Sequence, residues 1–194
     1  WKHFAGACGI IFLPMLCIIG QRETGSALVY LSFFLMLYRE GMPGSFLFTG
    51  LAMIIYFVVG IKYEEVLLWD TPTSAGKFVV LLLVQIFSTA MVWVYVDDKA
   101  KTRLLLAYVL GFTALALLFS EFVIPFDVVW VQLLLSAGVI GYLVYNAMNT
   151  RFANYFYIAL FALGSVAFFY SADYVLNDVM QPHQRVRINV LLGL

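Results

Sequence analysis

Three places in this sequence set groups capable of chemistry against a strongly apolar background. The first is Gly20-Gln21-Arg22-Glu23-Thr24-Gly25-Ser26, a polar turn with a carboxylate beside a guanidinium and a glycine that lets backbone approach closely. Such a carboxylate can position a hydroxyl, a cation or a partner arginine. The competing reading is a solvated turn in which Thr24 or Ser26 caps the next helix. The second place runs from Asp173 to Arg187 and ends in Arg185-Val186-Arg187 beside His183 and Gln184. Arginine forks suit phosphate oxygens, so two of them at i and i+2 could hold a pyrophosphate headgroup at a membrane surface. The alternative is a juxtamembrane basic pair touching lipid phosphates, and His183 reads as an interfacial residue. The third is the set Glu64, Glu65 and Asp70, with Glu121 and Asp127 further on. Paired carboxylates serve as acid/base groups or metal ligands, but solvated loop acids are far commoner. Asn146, Asn149 and Asp97-Asp98-Lys99 read as helix-end groups.

Other chemistries lack their residues. The sequence contains no phosphate-binding glycine loop, no HExxH and no GxSxG. Cys8 and Cys17 both fall in the first apolar run, where a thiol behaves as a small hydrophobe. Neither has ligand spacing to another Cys or His, which argues against a disulfide or metal role.

The elements that position these groups are membrane spans. Of 194 residues, 64% are hydrophobic and 11% charged, whereas a soluble domain is about half apolar and a quarter charged. The mean hydropathy is +0.97, and such a chain has too little polar material to cover a water-facing surface. A helix crosses the hydrocarbon layer with about 20 apolar residues. Seven runs approach or reach that length: Phe4–Gly20, Thr24–Tyr38, Ser45–Ile61, Phe78–Val96, Leu104–Ser120, Val128–Ala147 and Phe152–Ala172. Each is expected to be α-helical, because a spanning segment must satisfy its own backbone groups. The expected fold is therefore all-α, a polytopic transmembrane bundle forming one domain over residues 1–194, with 173–194 beginning an extracytoplasmic loop. The first run has no basic flank or small-residue cleavage site, so it does not read as a signal peptide. Trp1 and Leu194 read as the ends of a piece of a longer protein.

Nearly all charges fall in the connections. With the start of the chain cytoplasmic, that side holds Lys2, Arg39, Lys99, Lys101, Arg103 and Arg151. The opposite side holds Arg22, Lys62, Lys77, Arg185 and Arg187, so the cation bias favours this orientation only weakly. Tyr56, Tyr63, Trp69, Trp93, Tyr95 and Trp130 read as an interfacial aromatic belt. Gly60, Gly138 and Gly141 are small residues suited to close helix packing, and Pro14 reads as an architectural kink. The formal net charge is zero, so no basic field points to nucleic acid as a partner.

Leu13-Pro14, then Gly20 to Ala27, then Leu37-Tyr38-Arg39-Glu40-Gly41, and finally His183-Gln184-Arg185-Val186-Arg187-Ile188-Asn189-Val190-Leu191-Leu192 resemble, in the same order, the RodA branch of the SEDS family (RodA, FtsW and SpoVE). The wording is most similar to its Bacteroidetes members. The resemblance is strong over about the first 44 residues and the last 20 and thin between. It implies a multi-pass glycosyltransferase of the bacterial cytoplasmic membrane that polymerises lipid II into peptidoglycan for elongation and rod shape. A class B penicillin-binding protein is its implied partner. Residues 21–26 match the family's Gln-Pro-Asp-Leu-Gly-Thr motif at the outer mouth of a central cavity. Glu23 stands where the family usually has Asp, and Arg22 where it has Pro, so the carboxylate is one methylene longer. Arg185 and Arg187 match the family's Arg-x-Arg at the start of the large extracytoplasmic loop. The resemblance thus assigns Glu23 as a supporting catalytic carboxylate and Gln21, Arg185 and Arg187 as substrate-binding residues.

The family's candidate catalytic Asp lies beyond Leu194, so this piece alone is expected to be inactive. The five spans from Ser45 to Ala172 are four more than shorter RodA proteins place between the two motifs. An even number of extra spans keeps both motifs on one side. A divalent cation is left open as a cofactor, since no residue set specifies one. Two other readings stand beside this one: a lipid or solute transporter, which a carboxylate near mid-membrane would favour, and a non-catalytic scaffold.

Overall fold

The computed structural model describes residues 6, 9–11, 13–14, 17, 33, 36–41, 43–69 and 71–174. Among these, five long helices follow one another: α1 (Gly44–Lys62), α2 (Ala75–Val96), α3 (Lys99–Phe122), α4 (Val128–Thr150) and α5 (Ala153–Tyr174). All five are long and apolar enough to cross a membrane, and the chain is a multi-pass membrane protein with an all-α fold. The charged residues of α1 to α5 are Lys62, Lys77, Lys99, Lys101, Arg103, Glu121 and Asp173, all among the first or last five residues of their helices. That distribution is what the cost of an ionised group at a helix centre demands. Most of the expected spans Phe4–Gly20 and Thr24–Tyr38 lies outside the described residues.

The chain divides into two compact units, Trp1–Ala52 and Met53–Leu194. In the first, the expected connection near Arg39 is a turn closed by Glu40 N–H donating to Met36 O and Gly41 N–H to Tyr38 O, both at 3.1 Å. Gly41 takes φ +99° there, a left-handed conformation in which glycine carries no Cβ penalty. Pro43 and the start of α1 follow.

The second unit holds the end of α1 and the four helices after it. Two connections are very short: Asp97-Asp98 between α2 and α3, and Arg151-Phe152 between α4 and α5. Asp97 (φ 55°) and Arg151 (φ 52°) end their helices in the left-handed region, so consecutive helices run antiparallel. α2 and α4 each pack against the other three helices of the α2–α5 bundle. They also carry the largest buried shares of apolar length, with α5.

Helix α3 begins at Lys99, five residues before the expected Leu104, and α4 runs to Thr150, past the expected Ala147. The apolar run marks only the hydrocarbon layer, whereas the helix continues to its cap. At α3 that cap is Asp98, whose Oδ1 accepts from Lys101 N–H at 3.0 Å, leaving the cations of the first turn able to reach the interface.

Two expectations are corrected. Tyr56 does not join the interfacial belt: it is 0% exposed, six residues before the end of α1 at Lys62, with its ring 6.0 Å from that of Phe87. Gly141 faces open space and permits no close approach, while a Cβ at Gly138 would sit 2.6 Å from the Tyr108 hydroxyl and one at Gly60 would sit 2.6 Å from the Phe169 ring.

Candidate functional site

Gln21, Glu23, Arg185 and Arg187 all lie outside the described residues. So do Thr24, Ser26, His183 and Asp70. The described part of the second unit carries three polar constellations of its own, one inside the bundle, one at the end where α1 stops and α2 starts, and one at the opposite end.

The interior constellation joins α2, α3 and α4. Gln85 Nε2 donates toward Gln132 Oε1 (2.9 Å), Gln132 O (3.0 Å) and Ser136 Oγ (2.9 Å). Gln132 Nε2 in turn donates to Thr113 Oγ1 at 2.9 Å, and Ser136 Oγ donates to Gln132 O at 2.8 Å. All four residues are buried. An amide in a helix core bound for lipid is costly unless partnered, and here each amide supplies donors to the other's helix or to a neighbouring one. Gln85 Oε1 is buried with no hydrogen-bond partner. Ser88 and Thr89 bond back to carbonyls four residues earlier on α2, the usual way for a hydroxyl to be satisfied inside a helix. Nothing in this cluster is charged, so its chemistry is hydrogen bonding: it fixes which faces of α2, α3 and α4 meet.

Gln85 and Gln132 were legible as isolated amides in apolar runs, but no spacing rule pairs residues 47 apart. Only the packing of α2 against α4, which run parallel with α3 between them in sequence, does so.

The end constellation is built on an ion pair. Lys77 Nζ, in the first turn of α2, lies 3.1 Å from Asp173 Oδ2, in the last turn of α5. Each charge sits at the helix end that the macrodipole disfavours, a cation at an N-terminus and an anion at a C-terminus. The two charges offset this for each other. Beside them, Asp127 caps α4 by accepting from Val129 N–H at 3.0 Å, and Thr73 Oγ1 accepts from Val128 N–H at 2.9 Å. Asp127 is therefore a structural cap. Ser74 Oγ donates to the backbone carbonyl of Glu64 at 2.8 Å, while Glu65 and Glu121 are exposed. The loop acids are thus dispersed over caps and surface, and no group of three or more His, Cys, Asp or Glu among the described residues is arranged to hold a metal ion.

At the opposite end, Lys101 Nζ reaches the Tyr155 hydroxyl at 3.1 Å and Asp98 Oδ2 at 3.3 Å, tying the start of α3 to the start of α5. The backbone N–H of Lys101, aided by the Lys101 side chain, holds the Asp98 carboxyl below its ordinary value. Asn154 Nδ2 donates to Tyr95 O at 2.8 Å across the same end.

The chain matches no family model, no curated protein and no solved structure.

Proposed function

We propose that this chain is the membrane part of a RodA-like glycosyltransferase of the SEDS family that polymerises lipid II in the bacterial cytoplasmic membrane beside a class B penicillin-binding protein. The observation that carries this reading is the order and wording of three motifs, at Gln21 to Ser26, Leu37 to Gly41 and His183 to Leu192. The helix count supports it. Five helices lie between Gly44 and Tyr174, and the span expected over Thr24–Tyr38 makes six crossings. Successive crossings alternate faces, so an even number returns the chain to the face from which it left. The glutamate motif and the Arg-x-Arg segment then meet the same aqueous compartment.

The chemistry is acetal exchange. An acceptor sugar hydroxyl attacks the anomeric carbon of the lipid-linked donor, the bond from that carbon to the pyrophosphate oxygen breaks, and undecaprenyl pyrophosphate departs with the bonding electrons. A carboxylate accepts the hydroxyl proton. Arg185 and Arg187 offset the charge that develops on the pyrophosphate, and Gln21 and Glu23 border the sugar as hydrogen-bonding and supporting groups. The described helices carry no acid or base near mid-membrane, which is the feature a transporter would favour.

The test is polymerisation of fluorescent lipid II by the full-length protein with its penicillin-binding partner, transpeptidation being blocked. Arg185→Ala and Arg187→Ala are each expected to lower kcat/KM about tenfold or more, the scale of one lost charge-assisted contact. Transbilayer movement of lipid II without polymer, or polymerisation indifferent to both arginines, would overturn the reading.

A further inference from the structure

The segment from Tyr63 to Ser74 is turned inside out relative to a loop that faces water. Thr71 and Thr73 are buried at 2% and 0% exposure, whereas Leu67 and Trp69 are 60% and 64% exposed, and Val66 is exposed beside them. Looseness does not account for this. Leu67 and Ser74 form an antiparallel bridge, Leu68 N–H donates to Thr73 O at 2.9 Å, and Ala75 N–H donates to Val66 O at 2.8 Å. Thr71 Oγ1 donates to Leu68 O at 2.6 Å, and Thr73 Oγ1 holds the first residue of α4. Leu68 packs against the cluster of Phe78, Ala116 and Val128. Trp69 is held at φ +49°, a conformation that costs a residue with a Cβ about 1 kcal/mol. A pinned loop that spends strain to present Leu and Trp outward has an apolar medium outside it.

The surrounding surface identifies the medium. The outward face of α3 is apolar through Leu115, Leu118, Phe119 and Phe122, and exposed Val123 and Ile124 continue it. That strip ends at Pro125, which closes one wall of a cleft of about 550 Å³ lined otherwise by Leu67, Trp69, Thr71 and Pro72. The membrane-facing band is therefore continuous with the cleft. Among the described residues no charged side chain lines it, and the Thr71 hydroxyl is already used inside the loop. Lys62, Lys77 and Asp173 lie at this same end of their helices, where water meets headgroups and where Trp is favoured.

We propose that this cleft seats the upper part of an acyl chain of a membrane phospholipid, and that the Tyr63–Ser74 loop is an interfacial lobe resting in the leaflet at the end where α1 stops. The lobe acts independently of the glycosyltransferase reading. It anchors the α1–α2 connection at a fixed depth and leaves Thr71 and Thr73 to hold the bundle end.

The experiment reconstitutes the chain with Trp1→Phe, Trp93→Phe and Trp130→Phe, so that Trp69 is the sole indole, in phosphatidylcholine vesicles brominated on the upper acyl chain. Trp69 emission is expected to fall about twofold against unbrominated vesicles, as for an indole in the interfacial belt, and to respond little to aqueous acrylamide. If the triple variant fails to fold, the difference in emission between the unsubstituted chain and W69F gives the same comparison. Quenching by acrylamide without quenching by bromolipid would place the loop in water and overturn the proposal. Quenching by neither would show a protein covering the cleft and overturn it equally.

Discussion

The interior seam of α2, α3 and α4 and the Tyr63–Ser74 loop both bury hydroxyls and amides, yet they do so under opposite conditions. In the seam, Gln85, Gln132, Thr113 and Ser136 are enclosed by helices whose outer surfaces are apolar. Their hydrogen bonds choose the register of packing. In the loop, the polar side chains Thr71 and Thr73 close a backbone that no helix satisfies, and the apolar side chains are what the surroundings receive. The difference teaches that burial of polar groups here follows backbone need and helix register, while exposure of apolar groups reports the medium.

Gly76 joins the loop to the bundle and gives the largest expected effect. Its N–H donates to Tyr63 O at 2.8 Å, and a Cβ there would lie 2.6 Å from Gly60 O and 2.9 Å from Tyr63 C. These are backbone atoms that cannot rotate away. Gly76→Ala is expected to destabilise the unit by about 3 kcal/mol, the upper part of the overpacking range. Gly111→Ala, with nothing within 4 Å, should leave stability unchanged or raised, because alanine is the better helix former. Thermal unfolding of the two variants in detergent, side by side, checks the pair. Equal stability would remove the claim that the loop is seated by close backbone packing.

Next comes the seam. Gln132→Leu strands the Thr113 hydroxyl and takes the Oε1 acceptor from Gln85. Its expected cost is roughly 2 kcal/mol, since a buried donor loses one of its acceptors and the Thr113 hydroxyl loses its donor, while hydrogen bonds within membranes are worth modest amounts. Gln85→Leu combined with Gln132→Leu should recover part of that loss. A double variant equal to the sum of the singles would show that the amides act separately.

The smallest effect separates the two ends of the bundle by pH. Asp98 has its carboxyl held below the ordinary value in the folded chain, first by the Lys101 N–H. Its contribution is present above the unfolded value and is lost as pH falls through the folded one. Stability should therefore decline slightly on acidification below the ordinary carboxylate range, and Asp98→Asn should flatten that part of the profile. Hydrogen bonds of the Tyr63–Ser74 loop run instead through the hydroxyls of Thr71, Thr73 and Ser74. An unchanged profile in the Asp98 variant would show that this cap does not report on folding.

Much of this fold was written in hydropathy. The runs at Ser45–Ile61 and Val128–Ala147 became α1 and α4 with shifts of at most three residues, because an apolar run of that length has one way to satisfy its backbone in lipid. The start of α3 was misplaced because Lys99, Lys101 and Arg103 look like a connection in composition while Asp98 caps a helix in geometry. Tyr56 departs from its expected place because an aromatic near a span end suits the belt and the core alike, and packing against Phe87 decides between them. The Gln85–Gln132 contact could not be read at all, since it depends on which faces of two distant helices meet. The candidate site was legible only as motifs: Glu23, Arg185 and Arg187 were found by wording and spacing, and lie outside the described residues.

The central claim is that the carboxylate of Glu23 serves glycan polymerisation. Its most direct measurement is the length and yield of glycan made from lipid II by the full-length protein, with its penicillin-binding partner, for the unsubstituted chain and for Glu23→Gln. The account predicts polymer from the first and at least a tenfold lower yield from the second, about the loss that follows removal of one charge-assisted contact to the sugar. Equal polymer from both would contradict the role of Glu23, and no polymer from the unsubstituted protein would contradict the glycosyltransferase reading itself.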